Sequence, residues 1–247
     1  LLITGAKGML GQFLVDHFAK SSTFTKLISI DIGASHRPTH ENEEIVNLDI
    51  TNEREVQNYF NTLAARHEPI EEIALINCAG ISVFDDYALR SKKDFMKVLE
   101  VNLYGSFNML QKTVNFSRTK NIKCSIVNTG SLFGTRSPDE RNYVDLNRKN
   151  SEVYGASKAG IEQMTRYFAA HLGKENIRVN CVSPGGILNE LEPQGDAFQK
   201  LYNHKVPLGR MGLYKEMVGA YAFLLSNVDA SYISGQIINV DGGYTAW

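Results

Sequence analysis

The stretch Thr4–Gly11, TGAKGMLG, decides the fold. It follows the short apolar run Leu1–Ile3 directly and opens a segment in which Leu10, Leu14, Val15 and Phe18 recur at helical spacing. Gly5, Gly8 and Gly11 stand three apart in this strand-to-helix turn. Glycine there lets the backbone approach a phosphate, and a helix N-terminus offers free N–H groups and positive potential. Asp31 ends the next apolar run, Leu27–Ile30, twenty residues past Gly11. That is where an acidic residue accepts hydrogen bonds from the adenosine ribose of NAD. Asp49 follows a third run, Ile45–Leu48; it either bonds the adenine amine or caps a helix starting near Asn52.

The same alternation continues along the chain. Further strands are expected at Ile73–Ile76, Cys124–Asn128, Arg178–Val182 and Gln236–Val240. Helices are expected at Leu10–Lys20, Glu53–Arg66, Asp94–Asn115, Glu152–Leu172 and Lys215–Leu225, with Ser91-x-x-Asp94 as a capping box on the third. Continuous apolar strands alternating with helices predict an α/β fold. We expect a single doubly wound Rossmann domain over residues 1–247, with a seven-stranded parallel sheet and helices on both faces. No repeat, low-complexity tract or linker interrupts it.

Bulk composition narrows the partners. With a net charge of −1, nothing favours nucleic acid or an acidic membrane surface. No apolar run is long enough to span a bilayer. The chain opens on LLITG without a methionine, as a trimmed chain would; no secretory signal is recognised, and a cytoplasmic location is expected. Cys78, Cys124 and Cys181 form no CxxC motif and read as reduced, buried thiols. No metal site is expected: His36 and His40 share a loop with Arg37 and Pro38 but have no third ligand nearby.

Tyr154 and Lys158, in YGASK, lie four apart at the head of a helix-period run and so share a helix face. A lysine cation beside a phenol favours the phenolate, which would make a tuned acid/base. Alone, the pair reads more simply as an aromatic and a lysine on an amphipathic helix, since short motifs match by chance.

Taken in order, TGAKGMLG, Asp31, NLDIT (47–51), NCAG (77–80), NLYG (102–105), NTGS (128–131), YGASK, SPGG (183–186) and the closing GGYTAW resemble the short-chain dehydrogenase/reductases over essentially the whole chain. The resemblance implies nicotinamide-dependent interconversion of an alcohol and a carbonyl, with Asn102, Ser131, Tyr154 and Lys158 as a catalytic tetrad. It implies that Gly5, Lys7, Gly8, Met9, Leu10 and Gly11 hold the dinucleotide, together with Asp31, Asp49 and Ile50. Asn77, Ala79 and Gly80 would form a sheet-to-cofactor segment, and Pro184, Gly185 and Ile187 would flank the nicotinamide, joined by Tyr154 and Lys158. Asn102 would hold a water linking Lys158 to solvent. Asn189 stands where many members place a threonine for the carboxamide. Asp31 points to NAD, with NADP as the alternative through Lys7 or Arg37. Relatives commonly pair as homodimers or homotetramers through the helices at 94–115 and 152–172.

Two departures refine the resemblance. The glycine spacing TGxxGxxG is that of the extended, nucleotide-sugar-modifying branch, yet no second substrate domain follows. Ser131 and Tyr154 also lie farther apart than the family usually shows; the extra piece is SPDERNYVDLNRKN. It resembles, more loosely, a subgroup associated with flagellin modification and surface-polysaccharide synthesis. Substrate loops are expected at about 132–153 and 186–210. Arg141 and Arg148 would pair with a phosphate or carboxylate and Tyr143 would pack on a ring, pointing to a sugar derivative as the small-molecule substrate. The alternatives are a catalytically decayed dinucleotide-binding module and a nucleotide-sugar epimerase or dehydratase.

Overall fold

The computed structural model describes the chain apart from residues 22, 34–37, 145–148 and 192; His36, Arg37, Asp145, Asn147 and Arg148 therefore lie outside the described residues. The strands are β1 (Leu2–Thr4), β2 (Leu27–Asp31), β3 (Glu43–Asn47), β4 (Glu72–Asn77), β5 (Lys123–Thr129), β6 (Ile177–Pro184) and β7 (Ile237–Val240). All pairings are parallel, in the order β3-β2-β1-β4-β5-β6-β7. The chain thus starts at the sheet's middle, builds one side, then crosses back beside β1. The reversal between β1 and β4 leaves a crevice at the strand C-termini, the usual ligand position in such sheets.

Side chains of successive strand residues point to opposite faces, and each face has its own core. Ile3, Ile76, Val127 and Val182 pack with Leu14 and Phe18 of α1 (Met9–Lys20) and with Tyr221 of the C-terminal helix Tyr214–Leu225. On the other face Leu2, Leu75 and Ile126 pack against Phe60 of α2 (Glu53–Ala64) and Leu110 of a central helix. β3 starts earlier than its apolar run because the Glu43 carboxylate is buried and satisfied, accepting from Ser29 Oγ (2.6 Å) and Thr39 N (2.9 Å).

The helix expected over Asp94–Asn115 is three pieces. α3 (Lys92–Leu99) passes through a widened π turn, Glu100–Gly105, into α4 (Ser106–Lys120). Ser91 caps α3, accepting from Asp94 N at 3.0 Å, while its hydroxyl donates to the Asp94 carboxylate. In the wide turn Ser106 Oγ donates to the Asn102 carbonyl (2.7 Å), and Gly105 leaves room for Ile50, whose Cδ1 would lie 2.7 Å from a Cβ there. Such turns often mark functional positions. α5 (Glu152–Leu172) is as expected; a further helix, α6 (Asp196–Lys205), was not, and α7 is Tyr214–Leu225. Among the described residues no helix is long and apolar enough to cross a membrane.

Candidate active site

The glycine turn is built on β4. Gly5 has φ +67°, and a Cβ on it would sit 2.6 Å from Ala79 Cα. Gly11 packs its α-carbon on the Gly5 carbonyl, so its role is close packing of helix on turn. Thr4 Oγ1 accepts from Cys78 N (3.1 Å) and Ala79 N (3.2 Å), fixing the segment after β4 beside the turn. α1 begins with Gly8 as N-cap, no capping side chain and no acidic residue in its first turn, so its positive end is not neutralised from within. A cavity of about 320 Å³ opens here, lined by Gly5, Lys7, Gly8, Asp31, Asp49 and Ile50 on one side and Ala79 and Gly80 on the other.

Asp31 takes the Lys7 backbone N–H on Oδ2 at 2.8 Å, and the Lys7 ammonium donates to the Gly33 carbonyl. The two readings of Asp49 separate: Asn52 caps α2, accepting from Glu55 N, whereas Asp49 accepts from Thr51 N (2.9 Å) and Thr51 Oγ1 (2.7 Å) at the cavity wall. Asn77 starts the segment expected to lead from sheet to cofactor. Its side chain is 2% exposed and turned inward, donating to Asn128 Oδ1 (2.9 Å) and the Ser106 carbonyl (3.1 Å). Met9 likewise does not line either half of the site; its sulfur accepts from Tyr214 OH.

A second cavity, also about 320 Å³, gathers candidate catalytic residues. Ser131 and Tyr154 both line it, with Leu10, Pro184, Gly185 and Ile187. Ser151 caps α5 and accepts from Tyr154 N (3.3 Å), which sets Tyr154 in the first helical turn. Lys158 is 4% exposed; its Nζ donates to the Thr129 carbonyl (2.7 Å) and lies 5.6 Å from the Tyr154 ring centroid. A Cβ on Gly80 would stand 3.6 Å from that Nζ, so Lys158 sits between the two cavities. Asn102 is held through its side chain: Oδ1 accepts from Ile81 N (2.8 Å), and Nδ2 donates to the Ile81 carbonyl (2.9 Å) and Ser157 Oγ (3.0 Å). Ser131 Oγ accepts from Phe133 N (3.2 Å), which leaves its own hydrogen to donate elsewhere.

The roof of this cavity comes from distant parts of the chain. Tyr143, from the extra segment, packs on Phe198 of α6 (centroids 5.1 Å); Phe198 stacks on Tyr202, and Tyr202 on Tyr244 near the C-terminus. The Gly186 N–H donates to Tyr202 OH (2.6 Å), and Asp139 pairs with Lys205. Asn150 and Gln194 supply polar lining. The sequence reading missed α6 and its aromatics, although Phe198 and Tyr202 stand at i, i+4 spacing. Arg141, expected to face a phosphate, is turned outward and paired with Asp139 (2.8 Å), with a side chain 86% exposed. Asn189 closes a local turn, accepting from Leu191 N.

Burial pushes the thiols of Cys124 and Cys181 up to about 12. Neither is a nucleophile near neutral pH. Among the described residues no cluster of three or more His, Cys, Asp or Glu could hold a metal ion.

The family model described as enoyl-(acyl carrier protein) reductase matches residues 31–245. A galactitol 2-dehydrogenase (L-tagatose-forming) of Cereibacter sphaeroides is 30% identical over 99% of this chain and 94% of its own. This chain is a short-chain dehydrogenase/reductase. That makes it an oxidoreductase of CH–OH groups using a nicotinamide dinucleotide. An uncharacterized short-chain type dehydrogenase/reductase of Sinorhizobium fredii is 31% identical over 99% of this reductase, which spans 43% of the length of that relative. A short-chain dehydrogenase of Leptospira borgpetersenii, solved with bound NAD+, superposes with a TM-score of 0.89 at 38% identity, covering 99% of this reductase and 91% of that chain.

Proposed function

We propose that the protein is an NAD-dependent dehydrogenase/reductase of polyols or sugar derivatives. The observation that carries this reading is the second cavity, where Ser131 and Tyr154 lie under an aromatic and amide roof partly made by the extra segment. The dinucleotide fits the first cavity: a side chain at Gly5 would close the turn against Ala79, and the uncapped start of α1 suits a diphosphate. Gly5, Gly8 and Asp31 would hold the adenosine side, and Pro184, Gly185 and Ile187 the nicotinamide side.

The bound nicotinamide supplies the hydride acceptor in oxidation and the donor in reduction. The chain's residues handle the proton and the charge. In reduction the Tyr154 O–H gives its proton to the substrate oxygen, and Ser131 Oγ donates a hydrogen bond to the same oxygen as charge grows there. The buried Lys158, with Nζ 5.6 Å from the Tyr154 ring centroid, would bond the ribose of a bound nicotinamide and hold positive potential beside the phenol. Asn102 gives both of its amide hydrogens to Ile81 and Ser157, so a water serving Lys158 would bond to its remaining acceptor capacity.

Two relatives support the substrate class: the galactitol 2-dehydrogenase and a D-arabinitol 2-dehydrogenase of Scheffersomyces stipitis, 31% identical over 76% of this chain. The sugar derivative belongs to surface-glycan or flagellin modification, on the strength of the extra segment and the closing GGYTAW. Purified protein offered NAD with galactitol, D-arabinitol or an apolar secondary alcohol should form NADH with a polyol. Faster turnover of the apolar alcohol sinks the substrate class. Absence of turnover with every alcohol and ketone favours a decayed binding module instead.

A further inference from the structure

α5 sets three polar side chains one turn apart on a single face: Tyr154, Lys158 and Glu162. The first two belong to the chemistry above; Glu162 does not. Its side chain is 2% exposed. One carboxylate oxygen, Oε1, accepts from Ser183 Oγ at 2.9 Å, and Ser183 is the residue before Pro184 and Gly185 at the end of β6. The same oxygen lies against the turn that carries Ser131. A Cβ on Gly134 would meet it at 2.7 Å, and a Cβ on Gly130 at 3.4 Å. Burial pushes the carboxyl above its ordinary range. One neutral hydroxyl is weak compensation for taking a carboxyl out of water, so an apolar residue would serve stability better.

Lys158 and Glu162 divide the work of joining α5 to the sheet. Lys158 holds the end of β5 through the Thr129 carbonyl; Glu162 holds the end of β6 through Ser183. The two strand ends lead into the Ser131 turn and the Pro184–Gly185 segment. We propose that Glu162 is a positioning residue for the nicotinamide half of the site, fixing both strand ends against the helix that carries Tyr154. It touches neither substrate nor dinucleotide and acts through Ser183 and the Ser131 turn. The inference rests on the nicotinamide reading above. It predicts that glycine is required at 134, since any side chain there would displace the carboxyl.

The test separates the two halves of the cofactor. NADH, followed by nicotinamide fluorescence, reports on both; ADP-ribose, followed by calorimetry, carries the adenosine and diphosphate but no nicotinamide. Glu162→Ala should weaken NADH binding about tenfold and abolish the change in nicotinamide emission, with ADP-ribose affinity unchanged. Glu162→Gln keeps an acceptor oxygen for Ser183 and should retain both affinities. Ser183→Ala should shift NADH binding in the same direction by a smaller factor; it carries the test if Glu162→Ala does not fold. Equal loss of both ligands, unchanged NADH binding in the folded variants, or a Gln variant as impaired as the Ala variant overturns the proposal. Failure of the unaltered protein to bind NADH overturns the cofactor reading instead.

Discussion

The backbone N–H of Lys7 donates to Asp31 Oδ2 at 2.8 Å, so the phosphate turn itself aims the carboxylate at the end of β2. A carboxylate held there accepts from ribose hydroxyls and repels a 2′-phosphate. The Lys7 ammonium is turned to the Gly33 carbonyl. NAD should therefore bind at least about tenfold more tightly than NADP, a difference of about 1.4 kcal/mol. Asp31→Ser should narrow or reverse that ratio. Dissociation constants for both cofactors with both proteins check it; tighter NADP binding by the unaltered protein refutes the assignment.

Tyr154→Phe keeps the ring against the second cavity and removes the transferable proton. Turnover should fall by about 10²–10⁴ while NAD binding persists, because the phenol is the acid and not the cofactor's main anchor. Steady-state rates beside a direct NADH titration decide it. Near-normal turnover would remove Tyr154 from the mechanism.

Lys158→Ala should lower both turnover and NAD affinity. It also strands the Thr129 carbonyl, whose lost partner should cost about 1–3 kcal/mol of stability. Kinetics, cofactor titration and chemical denaturation must all move. A change in only one of the first two contradicts the double role.

Shortening the segment between Ser131 and Tyr154 removes Tyr143 from Phe198 and Asp139 from Lys205. Polyol KM should rise or turnover vanish, with NAD affinity spared, since the first cavity is built without this segment. Unchanged kinetics would reduce the segment to surface decoration.

The buried thiols give the fold an alkaline limit. Cys124 and Cys181 titrate near 12 when folded but at about 8.5 when unfolded, so above that lower value the unfolded state loses protons that the folded state keeps. Stability is full below about pH 8.5 and should decline as pH rises toward 12, by about 1.4 kcal/mol per pH unit for each thiol. Denaturant midpoints across this window, compared with a Cys124→Ala variant, check the sign; a flat profile contradicts it.

Local signals carried the parts of the fold that local chemistry dictates. The β-branched and apolar runs became strands, and the helical period of residues 152–172 located α5 without error. The glycine turn was legible because its spacing has one mechanical use. What escaped depended on distant partners. α6 has only a short apolar stripe, Phe198 and Tyr202, and these pack on Tyr143 and Tyr244 from elsewhere in the chain. The π turn sets Gly105 against Ile50, a contact between segments far apart in sequence. Arg141 reads as a ligand-binding cation until Asp139, two residues earlier, is seen to occupy it. That the Asn77 amide is given to Asn128 depends on the neighbouring strand and could not be read locally.

The order of the strands also governs when the molecule acquires its binding site during folding. β1 is three residues long and gains its second neighbour only when β4 docks, with Thr4 beside Asn77. The Gly5 turn leans on Ala79, so a nascent chain that has not yet delivered β4 has a phosphate loop without a backing wall. The nicotinamide side waits longer still, for β6. Pairings this distant in sequence form slowly. Recovery of NADH fluorescence in refolding should trail the return of helical signal, which makes the dinucleotide a reporter of the completed sheet.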